Sequence, residues 1–224
     1  MSYEPAAVSL RGARGDLRDW IGEHLDPLEA HDPAQIGTVA SDYDLSKAYG
    51  STEAEGPLTP AAVLIGLVER DAGLHVILTR RADTLRRHTG QIALPGGRRD
   101  PGETPWQTAL REAHEEIGLE PKFVSVVGLS TPYRTGTGYL ITPVVGFVRP
   151  GFTLAANPDE VADIFETPFG FLMDPANLEE HERELPSGEK RRFYAYTHED
   201  RFIWGATAGM LRALYDRLYG AAVA

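Results

Sequence analysis

The sequence predicts a mixed α/β domain of the α+β kind, carried behind an N-terminal arm. Three observations predict it. Short runs rich in Val, Ile and Leu, such as AAVLIGLVE (61–69), LHVILTR (74–80) and YLITPVVGFV (139–148), read as strands. Two other stretches, 104–118 and 206–219, repeat apolar residues at helical spacing. Residues 1–57 sustain neither pattern beyond one short helical stretch. The expected division is an arm over 1–57, made of a short helix plus an extended segment, and a globular domain over 58–224.

In the arm, Leu17, Trp20, Ile21 and Leu25 mark an amphipathic helix from Asp16 to Leu25. Residues 26–56 are rich in Ala, Asp, Ser, Gly and Pro and read as extended, with one short helix near Leu45–Tyr49. The arm's plain role is to cover one side of the domain; a dimer contact or a substrate lid remain open alternatives. The segment RDAG (70–73) suits a hairpin turn between the first two strands. KFVSVVGL (122–129) is a further strand. Pro143 within YLITPVVGFV is expected only at an edge or a bulge, because it lacks an N–H. RRFYAYTHE (191–199) and DRFIW (200–204) read as a second hairpin. Met210, Leu211, Leu214, Tyr215 and Leu218 share one face of a closing helix, where they read as core.

Composition narrows the function classes. The 224 residues carry a net charge of −11, so non-specific nucleic-acid binding is not expected. There is no cysteine, which excludes disulfides, thiol chemistry and cysteine–zinc sites and fits a cytoplasmic protein. No apolar run is long enough to span a bilayer, and the first residues lack a signal-peptide core. An anionic substrate would need a local positive patch or a bound metal. The oligomeric state is open, and a homodimer is allowed.

The chain is organised around GRRDPGETPWQTALREAHEEIGL (97–119). Thr104 can cap a helix whose first position is Pro105, and Gln107 completes a Thr-x-x-Gln capping box. Gly118 is placed to end it in the left-handed conformation. Trp106, Ala109, Leu110, Ala113 and Ile117 form the buried stripe, and Glu112, Glu115 and Glu116 share the arc beside it. Like charges at this spacing weaken a helix. A hard divalent cation, Mg²⁺ or Mn²⁺, removes that penalty because it takes oxygen ligands. Arg111 can pair back to Glu103, and Gly97 lets the backbone approach the metal. A solvated acidic helix face is the plain alternative.

This stretch resembles the Nudix box, with spacing G-x5-E-x7-R-E-x2-E-E-x-G. The resemblance implies a mixed sheet sandwiched between helices. It also implies a metal-dependent hydrolase of nucleoside diphosphates linked to another group. By that resemblance Glu112 and Glu116 are the main metal ligands, with Glu115 a further ligand or water-activating group. Gly97 offers its carbonyl to a metal, Glu103 and Arg111 are supporting partners, and two or more ions are expected.

The preceding stretch, ILTRRADTLRRHTGQIALPGG (77–97), gathers Arg80, Arg81, Arg86, Arg87 and His88, with Arg98 and Arg99 following. Guanidinium forks suit phosphate oxygens. The stretch is similar to the segment upstream of the box in coenzyme A pyrophosphatases. The matches are Leu78, Thr79, Arg81, Ala82, Arg86, Gly90, Gln91, Pro95, Gly96 and Gly97, while Leu94 stands where that subfamily usually has Phe. GYLITPVVGF (138–147), NPDEV (157–161) and IWGATAGML (203–211) extend the likeness. It implies a small-molecule nucleotide substrate of coenzyme A type, with the basic residues and Gln91 as substrate contacts. His88 reads equally as a phosphate contact or proton donor and as a loop histidine with a backbone partner. Glu160 reads as ligand or general base, or as a turn acid. Tyr133 and Tyr139 read as stacking groups or as ordinary loop residues.

Overall fold

The computed structural model describes residues 14–32, 38–45, 56–83, 90–184, 188 and 190–220. In chain order the elements begin with helix α1 (Arg14–Glu23), strand β1 (Ala40–Ser41), β2 (Thr59–Arg70), β3 (Gly73–Arg81), β4 (Ile92–Ala93) and β5 (Gly96–Arg98). They continue with helix α2 (Pro105–Ile117), then β6 (Val124–Leu129), β7 (Tyr133–Arg134), β8 (Tyr139–Val148) and β9 (Val161–Pro168). Helix α3 (Phe169–Leu172), β10 (Glu179–Glu184), β11 (Lys190–His198), β12 (Arg201–Trp204) and α4 (Ala206–Tyr219) complete the chain.

Among the described residues, nine strands form one mixed sheet with the path β1-β7-β8-β2-β3-β4; β5 pairs β2, β6 pairs β8 and β9 pairs β3. Strand β2 runs parallel to β8 and antiparallel to β3 and β5. Its centre is buried on both faces, which is why it reads as a continuous apolar run rather than an alternating one. The period of two sorts its side chains. Val63, Ile65 and Leu67 join Ile21, Phe169, Leu211 and Leu214 on the face covered by α1, α3 and α4. Ala62, Leu64 and Val68 join Ala109, Ala113 and Ile117 of α2 on the other. The expected sheet between helices is therefore what forms. Strands β10, β11 and β12 make a separate three-stranded antiparallel sheet.

Several local expectations shift. Helix α1 begins two residues earlier than its apolar spacing suggests, and residues 46–49 of the expected short helix lie outside the described residues. The arm also contributes a strand, since β1 pairs in parallel with β7 at Ala40–Tyr133 and Ser41–Arg134. Pro143 lies in the middle of β8, a central strand, where it faces Val63 of β2. It is tolerated because its other side meets the break between β7 and β6. There its carbonyl accepts from Ser130 N at 2.9 Å, and no ladder donor is required of it.

Candidate active site

Helix α2 positions the three box glutamates, and its ends form as the sequence predicts. Thr104 accepts from Gln107 N, and the Gln107 side chain accepts from Thr104 N, closing the capping box. Gly118 adopts φ 68° and ψ 12° and donates to the carbonyls of Ala113 and His114. Of the expected stripe, Ala109, Ala113 and Ile117 are fully buried while Trp106 and Leu110 are half-buried.

Glu116 is buried with them, at 4% exposure, an unusual place for a carboxylate. Its Oε2 accepts from Gly96 N at 3.1 Å, and Arg81 Nη1 lies 3.9 Å from Oε1. Burial pushes its pKa up to about 7; the Gly96 N–H and Arg81 pull against that, while Glu112 and Glu160 add to it. Glu112 is also raised, first by burial, with Glu115 and Glu160 contributing and Arg111 opposing. Its carboxylate lies over β5. A Cβ built on Gly97 would sit 2.5 Å from Glu112 Oε2, so any larger residue there displaces the Glu112 carboxylate. Gly96 is constrained by backbone instead, since a Cβ would meet the Ala62 carbonyl at 2.4 Å.

Arg111 is the hub of the surrounding charge network. Its Nε and Nη2 donate to Glu103 at 2.8 and 3.1 Å, and Nη2 also donates to the Arg98 carbonyl at 3.1 Å. Its Nη1 donates to Glu112 Oε1 at 2.8 Å and to the more exposed Glu115 at 3.0 Å. Glu103 additionally accepts from Thr108 Oγ1 and Asp100 N, and these bonds, Arg111's foremost, hold its pKa down to about 2. The pair thus pins the loop after β5 to the first two turns of α2.

Glu160 arrives from a remote part of the chain. Asn157 N donates to the Glu116 carbonyl at 2.8 Å, and the Asn157 carbonyl then receives Glu160 N and Val161 N. Ala82 N donates to the Glu160 carbonyl, fastening the turn to the end of β3. Glu160 thereby joins the electrostatic field of both Glu112 and Glu116.

Of the basic candidates, Arg81 reaches the carboxylates, and its Nε is buried without a hydrogen-bond partner. Arg80 instead pairs with Asp83 at 2.9 Å. Gln91 stands beside β4, its carbonyl accepting from Arg81 N. Arg86, Arg87 and His88 lie outside the described residues. Tyr133 is not a stacking group: it is 4% exposed, and its hydroxyl donates to Asp42 at 2.9 Å. The Gly96 N–H is the contact that sequence reasoning missed; its signal was the Gly-Gly pair ahead of the box.

Among the described residues, no three acidic or imidazole groups are already gathered around one ion position. Glu112 and Glu115 are turned onto Arg111 instead. The donor set still suits a hard divalent cation, because it consists of carboxylates and backbone carbonyls. A buried, crowded carboxylate over a glycine cradle is also short of positive charge.

A family model described as the NUDIX domain matches residues 57–195. A protein from Photorhabdus laumondii named "Uncharacterized Nudix hydrolase NudL" is 40% identical over 160 residues, covering 70% of this chain and 84% of that protein. Its namesake from Yersinia pestis is likewise 40% identical, covering 70% and 79%. The chain belongs to the Nudix family. Among solved structures, the MutT protein of Methanosarcina mazei covers 76% of this chain and 99% of its own at 16% identity and a TM-score of 0.47. The Nudix hydrolase RenU of M. smegmatis covers 52% and 74% at 26% identity and a TM-score of 0.44. As a Nudix pyrophosphohydrolase the protein cleaves diphosphate bridges.

Proposed function

We propose that this Nudix enzyme hydrolyses the diphosphate bridge of coenzyme A or acyl-coenzyme A, releasing 3′,5′-ADP and 4′-phosphopantetheine or its acyl form. One observation carries the reading. The stretch similar to the coenzyme A pyrophosphatase segment contributes β3, β4 and β5, and three of its matched residues meet the carboxylates: Arg81 at Glu116, Gly96 on Glu116, Gly97 beneath Glu112.

Glu112, Glu116 and Glu115, with the Gly97 carbonyl, would hold Mg²⁺ or Mn²⁺. Such an ion, when bound, neutralises the diphosphate and lowers the pKa of its water. The chain's own residues prepare the rest. Arg111 and Glu103 fix the loop and helix against each other, so the glutamates keep their positions. Arg81 supplies a fixed positive charge beside the bridge. Glu160 and Glu115 are the proton acceptors available to an attacking water. In the reaction a water oxygen bonds to one phosphorus and the bridging P–O bond breaks. One water proton passes to the acceptor, and the bridging oxygen leaves with the other phosphate.

Hydrolysis of ADP-ribose, NADH or a dinucleoside polyphosphate is the alternative substrate class. A nucleotide sensor without turnover is a further one, disfavoured by the complete set Glu112, Glu115 and Glu116. Product analysis tests the proposal: incubation of coenzyme A with enzyme and Mg²⁺ is expected to yield 3′,5′-ADP. Intact coenzyme A after incubation with enzyme that cleaves ADP-ribose would contradict it.

A further inference from the structure

Strands β2 and β3 pair with each other only over Leu67–Arg70 and Gly73–Val76. Past that ladder they part, β2 pairing with β5 while β3 pairs with β4 and β9. The segment from Gln91 to Gly97 fills the gap between them, and its carbonyls are taken in turn. Arg81 N donates to the Gln91 carbonyl at 2.9 Å, Thr79 Oγ1 to that of Ala93 at 3.3 Å, and Leu64 N to that of Pro95 at 2.8 Å. Ladder bonds fall on alternate residues of an antiparallel strand, so the Ile92 carbonyl between these points away from β3. It accepts instead from Thr207 Oγ1 of α4 at 3.0 Å, and both residues are buried.

Thr207 is the second residue of its helix. The preceding cap, Gly205, has φ 64° and offers no side-chain acceptor to the helix start. The one hydroxyl in the first turn is therefore engaged with β4 and not with the helix's own free N–H groups. What that bond holds in place is Arg81. The Arg81 Nε is buried without a hydrogen-bond partner, and Glu116 lies 3.9 Å from Nη1, beyond hydrogen-bond length. Its own contacts do not aim this side chain. The backbone on either side does, through Arg81 N on Gln91 and Ala82 N on Glu160. At the far end of the same segment Gly96 N donates to Glu116. A shift of β4 moves Arg81 relative to the carboxylates.

We propose that Thr207 is a positioning residue for diphosphate hydrolysis: its hydroxyl fixes β4, and through β4 the placement of Arg81 at the site. The inference rests on Arg81 lying beside the diphosphate, not on which diphosphate is cleaved. The test is a double-mutant cycle. Thr207→Val, which keeps the shape and removes the donor, is combined with Arg81→Gln. For wild type and each variant, kcat/KM with Mg²⁺ is measured on coenzyme A and on ADP-ribose, alongside thermal melts. Thr207→Val is expected to lower kcat/KM roughly tenfold or more. Thr207→Ser, which keeps the hydroxyl, should return it to within about twofold of wild type. In the Arg81→Gln background the valine should cost less than about twofold, because the group it misplaces is already gone. A threonine that only docks α4 on the sheet would cost the same in both backgrounds. Thr207→Ala also lacks the donor and suits a helix, and it takes the place of the valine variant if that variant does not fold. Equal losses in both backgrounds, no loss in either, or an Arg81→Gln enzyme as active as wild type would overturn the proposal. Cleavage of ADP-ribose with coenzyme A left intact would count against the substrate assignment alone, and the cycle is then read on ADP-ribose.

Discussion

Replacing Glu116 by glutamine removes one buried charge and leaves the side-chain shape nearly unchanged. In the metal-free protein the wild-type carboxyl titrates at about 7, raised from 4.5 by burial and by Glu112 and Glu160. The raised pKa fixes the sign. Stability from this group is fully present below about pH 4.5 and is lost as pH rises through about 7. By linkage the displacement amounts to about 3 kcal/mol at most. Glutamine keeps an acceptor for Gly96 N–H and never ionises. With chelator present, Glu116→Gln should therefore exceed wild type in stability by about 1–3 kcal/mol at pH 8, the lower figure allowing for the lost Arg81 attraction. At pH 5 the advantage should nearly vanish. Urea denaturation of both proteins at the two pH values reads the difference directly, since other titrating groups cancel. Turnover should meanwhile fall by orders of magnitude. A variant less stable than wild type at pH 8, or a difference that ignores pH, would refute the reasoning.

Other perturbations follow from the same geometry. Gly97→Ala would place a Cβ 2.5 Å from the Glu112 carboxylate, so kcat/KM should drop roughly a hundredfold for a displacement near 1 Å, with Tm little altered. Glu103→Gln should cost about 1–3 kcal/mol near neutral pH; because the native pKa is depressed to about 2, that cost should shrink as pH falls below about 4.5 in denaturation curves. Gly209→Ala would put a Cβ 2.1 Å from the Tyr133 hydroxyl, and this overpacking should cost about 1–3 kcal/mol in a thermal melt. Glu160→Gln should lower the turnover rate and alter the pH–rate profile if Glu160 accepts the proton; an unchanged profile would leave Glu115 in that role.

What was legible in the sequence was local. The caps of α2, the Glu103–Arg111 pair, the Asp71–Ala72 hairpin turn and the β11–β12 hairpin all depend on residues close in the chain. What was not legible depends on partners far apart. EEHERE (179–184) carries no strand pattern, yet it forms β10, where Glu182 and Glu180 meet Arg192 and Lys190 across the strand pair. Tyr133 reads as a loop aromatic, but Gly209 of α4 opens the space that buries it. IWGATAGML likewise has no readable chemistry until Thr207 Oγ1 is seen donating to the Ile92 carbonyl, bracing the strand ahead of the site. The approach of Glu160 to Glu112 and Glu116 required the Asn157 turn to bond the end of α2, and no periodicity signals that.

The substrate assignment rests on Arg81 and its neighbours facing a diphosphate that carries a further 3′-phosphate and a pantetheine arm. The most direct measurement is kcat/KM with Mg²⁺ for coenzyme A, dephospho-coenzyme A and ADP-ribose, determined side by side on the wild-type chain. Coenzyme A should be preferred over ADP-ribose by tenfold or more, as expected for at least one additional charge-assisted contact of about 1.5–3 kcal/mol. Efficient cleavage of ADP-ribose with coenzyme A and its thioesters left intact would contradict the account.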